Sequence, residues 1–327
     1  MVKSILLHIH DDCGQAGRIA VALDLARAHQ SHITCLQITP YNSYVVGDPF
    51  GGLYASSQLL DALQAREDEE RRRIEHLLKA EGVSWDWEHI DGNVADALVS
   101  QARLADVLIV SRQEKGRDDA PPPLPIVADI AMHARAPVLV VPPGTACFDA
   151  GGSVVIAWNG SIEAAHSLRL TLSFLRLAAE VNIIAVSNEE SDFPSAAAGR
   201  YLARHGIASK LHEWPQEGRT IAQTLSDAAQ QLAASSLVMG AYGHSRLRET
   251  VLGGVTRDLL SETSMPLLWR TSPRAPVAAS RRRRTHLTRI IHRVVDRASG
   301  FRFLVGGRRG ASLPGMSRRS GMLRLAG

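Results

Sequence analysis

The feature that most constrains this chain is that it repeats itself, because two copies of one pattern must satisfy one architecture. Adding 129 to the residue number carries Asp106-Val-Leu-Ile-Val-Ser111 onto Ser235-Ser-Leu-Val-Met-Gly240, Asp129 onto Asp258 and Pro137 onto Pro266. Near the start of the copies the offset is about 149, matching Ile5-Leu-Leu to Val154-Val-Ile. The first copy therefore holds about twenty additional residues, most simply in the 40–70 region.

Hydrophobic periodicity gives each copy the same order of elements. In the first, strands are predicted over 4–10, 32–39, 85–90, 106–111 and 137–141, with helices over 14–29, 59–80 and 94–104. Residues 40–57 and 113–125 read as loops, rich in Pro, Gly and charge. In the second, strands over 154–158, 181–187, 209–214, 237–240 and 266–269 alternate with helices over 162–179, 195–205, 220–233 and 255–262. Such alternation means a parallel sheet covered on both faces. The predicted fold class is α/β, as two tandem open parallel five-stranded sheets with helices on both faces, followed by a basic C-terminal tail. The boundaries are 1–142 for the first domain, 143–152 for a linker, 153–271 for the second domain and 272–327 for the tail. Each copy ends in a short apolar strand, 137–141 and 266–269, and these are the candidate edges for pairing the copies into an intramolecular pseudo-dimer.

Charge removes one argument for the folded part. From Pro273 onward there are 14 Arg, no Lys and one acid, Asp296, giving +13; the preceding residues hold 23 basic against 32 acidic residues, giving −9. The overall +4 is thus no argument for nucleic-acid binding, which is confined to the tail if it occurs. The tail reads as disordered, with a short basic amphipathic stretch around Ile290, Ile291, Val294 and Val295 as the competing reading. No apolar run reaches the ~20 residues of a membrane helix, and the three cysteines lack metal spacing. Both fit a cytoplasmic protein.

The chemistry concentrates in residues 240–256. Gly240 and Gly243 are followed, after nine residues, by Gly253 and Gly254, in a loop that leaves a strand and opens a helix. Glycines there let backbone N–H groups approach an anion without Cβ atoms in the way, and a helix N-terminus favours negative charge. The 129-residue offset places Ser111, Glu114, Leu124 and Pro125 at the corresponding positions of the first copy. A carboxylate, and a proline without N–H, oppose phosphate there. One functional site is expected, in the second copy.

By these residues the chain resembles the universal stress protein family in its tandem form. The likeness is most specific at Val238-Met-Gly-Ala-Tyr-Gly-His-Ser-Arg-Leu-Arg-Glu and Leu252-Gly-Gly-Val-Thr, and it covers residues 1 to about 271. It implies a five-stranded fold of the adenine nucleotide alpha hydrolase kind, a role in stress response, and ATP, with or without Mg, as ligand. On the resemblance, Ala157 and Asn159 lie near base and ribose, Val186 contacts adenine, and Gly240, Gly243, His244, Gly253, Gly254, Val255 and Thr256 surround the phosphates. Two positions depart from the family pattern: Gly254 where a hydroxyl residue is usual, and Asn159 where Asp is usual. The alternative function is a chaperone-like or signalling interaction module that binds no nucleotide. A homodimer is compatible with either. No general base can be assigned, so an enzyme is not expected, slow ATP hydrolysis staying open; the loop Trp158-Asn-Gly-Ser161 is not that of an adenylating enzyme, and no Walker lysine is present.

The remaining candidates have plainer readings. Arg246 and Arg248 read as a solvated helix face with Glu249, and Trp158 as a buried aromatic. His8, His10, Asp11 and Asp12 invite a metal reading, since residues i and i+2 of a strand share a face, but no further His or Cys cluster of metal-like spacing completes a shell. Cys13 precedes a helix, but reads as an ordinary thiol.

Overall fold

The computed structural model describes residues 1–40, 46–47, 53–54, 57–112, 126–186, 193–240 and 254–270. Met1–Pro273 forms one compact unit. The expectations for the tail, for the 113–125 loop and for most of 240–256 lie outside the described residues.

The first half runs β1 (Ser4–Ile9), α1 (Gln15–His29), β2 (His32–Thr39), two short strands β3 (Val46–Gly47) and β4 (Leu53–Tyr54), α2 (Ser57–Glu81), β5 (Ser84–Asp91), α3 (Val94–Gln101), β6 (Val107–Ser111), α4 (Ile126–His133) and β7 (Val138–Val141). The second runs β8 (Ser153–Ala157), α5 (Ile162–Leu170), α6 (Leu172–Leu175), β9 (Glu180–Val186), α7 (Ser195–Arg204), β10 (Lys210–Trp214), α8 (Ile221–Gln231), β11 (Ala234–Gly240), α9 (Gly254–Glu262) and β12 (Leu267–Arg270).

The two predicted five-stranded sheets are present, and they are continuous. The strand order is β10-β9-β8-β11-β12-β7-β6-β1-β2-β5, a ten-stranded sheet among the described residues. Within this sheet every pairing is parallel except β12 with β7, which is antiparallel, with Leu268 opposite Leu139 and Trp269 opposite Val138. The candidate edge strands are thus the ones that join the copies. Their registers agree residue for residue: Ile5 pairs with Val107 and Val154 with Ser236, which are the same positions under the two offsets.

Strand alternation builds two cores, one on each face of the sheet. Ile5, Leu7 and Ile9 enter one, with Leu25, Ile74, Leu168, Phe174 and Leu202 from α1, α2, α5, α6 and α7. Leu6 enters the other, with Leu98, Ile130, Leu225 and Leu259 from α3, α4, α8 and α9. Each core takes residues from both halves, and each fully buried Leu or Ile contributes roughly 1.5–3 kcal/mol. Side contacts bind the halves, and the linker between them, further. His29 meets Phe174 edge-on with ring centroids 5.7 Å apart, the amide of Phe148 donates to Asp24 Oδ2 at 2.8 Å, and Arg112 donates to the Thr263 carbonyl at 2.8 Å.

Three departures from the predicted elements have local causes. The helix expected over 162–179 breaks at Thr171, whose hydroxyl donates to the carbonyls of Ser167 and Leu168 and competes with the helical ladder. Strand β11 starts earlier than expected, at Ala234, through a register shift between Ala234 and Ser236. Helix α4, for which no helix was predicted, packs on β7 and β12 and covers the junction strands. Helix α8, by contrast, begins where its sequence says: Thr220 and Gln223 make a reciprocal capping box.

Candidate functional site at the carboxyl ends of the second half

In the second half β8 lies between β9 and β11, and the chain leaves β8 and β11 in opposite directions to reach β9 and β12. A crevice outside the carboxyl ends at such a reversal is where open α/β sheets take ligands. The structure brings Ala157, Val186 and Gly240 together here as the last residues of β8, β9 and β11. The side chain of Val186 is buried, at 5% exposure, so what it offers the crevice is backbone.

The loop after β8 is built by its own residues. The Trp158 amide donates to the Ile184 carbonyl at 2.8 Å, and its buried indole donates to the Phe193 carbonyl at 3.0 Å. Asn159 Oδ1 accepts from the Ser161 amide at 3.2 Å, closing an Asx turn. Gly160 takes φ 76°, which suits glycine. Ser161 then caps α5, its hydroxyl accepting from the Ala164 amide at 3.1 Å. The position where the family usually has Asp thus shapes the turn through a neutral amide.

Gly240 has a second reason to be glycine. A Cβ there would lie 2.3 Å from the Ala164 nitrogen and 2.5 Å from the Glu163 carbonyl carbon, so β11 and the first turn of α5 touch backbone to backbone. The first half makes the same contact with the small residue on the other side. A Cβ on Gly14 would lie 2.3 Å from Ser111 Oγ, and Gly14 corresponds to Glu163 as Ser111 corresponds to Gly240. The Gly240 and Ser111 difference is therefore explained by packing. The pair Gly14 with Ser111 against Glu163 with Gly240 was open to a sequence comparison that considered helix starts as well as strand ends.

Helix α9 opens at Gly254. Gly254 is exposed, and a Cβ there would meet nothing within 4 Å. Val255 packs against the core, and Thr256 is buried at 4% exposure. The first N–H groups of a helix have no partner within the helix, so this end fits an anion by its chemistry. Gly243, His244 and Gly253, and with them Arg246 and Arg248, lie outside the described residues.

In the first half His8 and His10 stack with centroids 5.9 Å apart. Burial holds the His8 pKa well below the ordinary value, aided by the positive charge of Arg18 and by His10. Asp11 pairs with Arg66, which lowers its pKa. Among the described residues no group of three or more His, Cys, Asp or Glu is arranged to hold a metal ion, and none of the helices described is long and apolar enough to cross a membrane. Cys13 is exposed.

Comparison with known proteins shows what the second half is similar to. Residues 153–269 match the sequence model of the universal stress protein family. No curated protein matches the chain. Among solved structures, a universal stress protein from Archaeoglobus fulgidus DSM 4304 is 14% identical, with 83% of this chain and 98% of that one covered and a TM-score of 0.64. A candidate universal stress protein from Pseudomonas aeruginosa UCBPP-PA14 is 19% identical, over 83% of this chain and 93% of that one, with a TM-score of 0.52. These likenesses are of fold, and they span both halves. A universal stress protein solved in complex with cAMP is 16% identical, over 44% of this chain and 98% of that one, with a TM-score of 0.29.

Proposed function

From the match of residues 153–269 to the universal stress protein family model, we propose that the second half of this chain binds an adenine nucleotide, ATP, in a stress response. The observation that carries the reading is the strand reversal itself, where the carboxyl ends of β8, β9 and β11 lie side by side and α9 begins. Ala157 and Asn159 would face the nucleoside. Gly240 and the N-terminus of α9, from Gly254 to Thr256, would face the phosphates, with Gly243, His244 and Gly253 completing the loop. Helix-terminal N–H groups and the helix dipole favour the phosphate charge. ATP, when bound, brings its phosphate charge, with or without Mg; the chain's part is to hold and orient it.

The protein is read as a binding protein and not as an enzyme. Occupancy would stabilise the α9 terminus and the β8 loop together, and that coupling is what a nucleotide sensor needs. The test is Gly243→Asp. A carboxylate placed against phosphate should weaken ATP binding by at least about tenfold, or ~1.4 kcal/mol, with the melting temperature of the unliganded chain unchanged. Undiminished affinity in a calorimetric titration would put the nucleotide elsewhere.

A further inference from the structure

The first half has the same strand reversal, between β1 and β6, and its carboxyl-end crevice holds a side chain of the chain itself. Arg18, in the second turn of α1, is 1% exposed. Its Nε donates to the His8 carbonyl at 3.0 Å and one terminal nitrogen to the His10 carbonyl at 2.7 Å. The other terminal nitrogen donates to both carboxylate oxygens of Asp12, at 2.9 and 3.0 Å, and to Ser111 Oγ at 2.6 Å. Ser111 in turn donates to the Gly14 carbonyl at 3.2 Å. All three nitrogens of the guanidinium are used, each toward an acceptor at the end of β1 or β6.

The surroundings continue the same polarity. Glu70 of α2 is buried and accepts from Gln15 and, at 3.2 Å, from Gln37. This crevice is lined by carbonyls, a hydroxyl and carboxylates, the donor set of a cation site and the opposite of a phosphate cradle. Under the 149-residue offset Arg18 corresponds to Ser167 and Asp12 to Ser161. Ser167 donates to the Arg270 carbonyl at 3.2 Å, and Ser161 caps α5. The second half thus has neither the cation nor its counter-ion at these positions.

We propose that the first half's crevice is a guanidinium pocket which the chain fills from within by Arg18, so that this half takes no anionic ligand and the chain holds at most one nucleotide. The capacity of one rests on the nucleotide reading of the second half; the occupied pocket does not. Arg18 does for the first half what a ligand does for a crevice: it ties the α1 start to the ends of β1 and β6.

Chemical rescue tests this in the full chain. Arg18→Ala leaves buried acceptors and Asp12 without their partner, and should lower the melting temperature by roughly 10 °C. Millimolar methylguanidinium should recover part of that loss saturably, with no comparable gain in the wild type. ATP and inorganic phosphate should recover none. No rescue by methylguanidinium, or rescue by either anion, would overturn the proposal. If Arg18→Ala does not fold, Arg18→Lys and Arg18→Met decide. An acceptor-lined pocket keeps Lys the more stable of the two, and Met equal or better contradicts it. Two nucleotides bound per wild-type chain would also contradict it, whereas none bound would remove only the nucleotide reading.

Discussion

Gly240→Ala lowers the stability of the chain by about 3 kcal/mol or more, a drop of roughly 6–12 °C in melting temperature. The added methyl would lie 2.3, 2.5 and 2.8 Å from the Ala164 nitrogen, the Glu163 carbonyl carbon and Ala164 Cα. All three are backbone atoms in the first turn of α5, so no flexible side chain can yield. Either α5 lifts from β11 or β11 bends, and both change the crevice where the strands end. Nucleotide affinity should fall with stability. Gly254→Ala is the control, because a Cβ there meets nothing within 4 Å. At a helix position Ala is favoured over Gly by up to about 1 kcal/mol, so this variant should melt at or slightly above the wild-type temperature. A thermal melt of both variants checks the pair, and equal losses would show that the β11 to α5 contact is not what requires Gly240.

Stability should also fall as the pH drops below the ordinary histidine range. His8 is buried, and its pKa is pushed well down by burial, by Arg18 and by His10. His29 is fully buried at the seam between the halves, and among the described residues neither ring nitrogen has a hydrogen-bond partner. Burial lowers its pKa, the N-terminus and Lys3 lower it further, and Asp106 opposes them. Both rings are thus neutral in the folded chain where the unfolded chain, titrating near about 6.5, takes up two protons. More protons on the unfolded state means stability that rises with pH. It is level above about pH 7 and falls below about pH 6.5, with a slope approaching about 2.7 kcal/mol per pH unit for the two groups together. Below the folded-state values the slope disappears. His29→Leu, which keeps an apolar side chain against Phe174, should remove about half of that slope. Denaturant midpoints between pH 5 and 7.5 measure this, and an unchanged slope in His29→Leu would assign the acid sensitivity to other groups.

Much of the fold was legible because two offsets on one sequence had to describe one architecture. Residues 32–39 form β2 at the predicted bounds, and the junction of β7 and β12 was visible as two apolar strands that each copy leaves at an edge. What was not legible was the continuity of the two sheets through antiparallel pairing, since a β-strand pattern does not state its direction. The break at Thr171 was hidden because a hydroxyl that bonds back to Ser167 disturbs no hydrophobic period. At the site, Gly240 was found by its place after a strand, but its packing duty was not, because the atoms it touches belong to a helix start about eighty residues away in sequence. Arg18 was missed for a related reason. Within a helical pattern it reads as a solvated charge, and only the end of β6 shows that it points inward to Ser111.

The central claim is that one crevice, in the second half, takes one nucleotide. Calorimetric titration of the full chain with ATP tests it most directly. The account predicts saturable binding at one nucleotide per chain, abolished or much weakened by Gly243→Asp and unaffected by unrelated surface changes. No binding at millimolar ATP would contradict it.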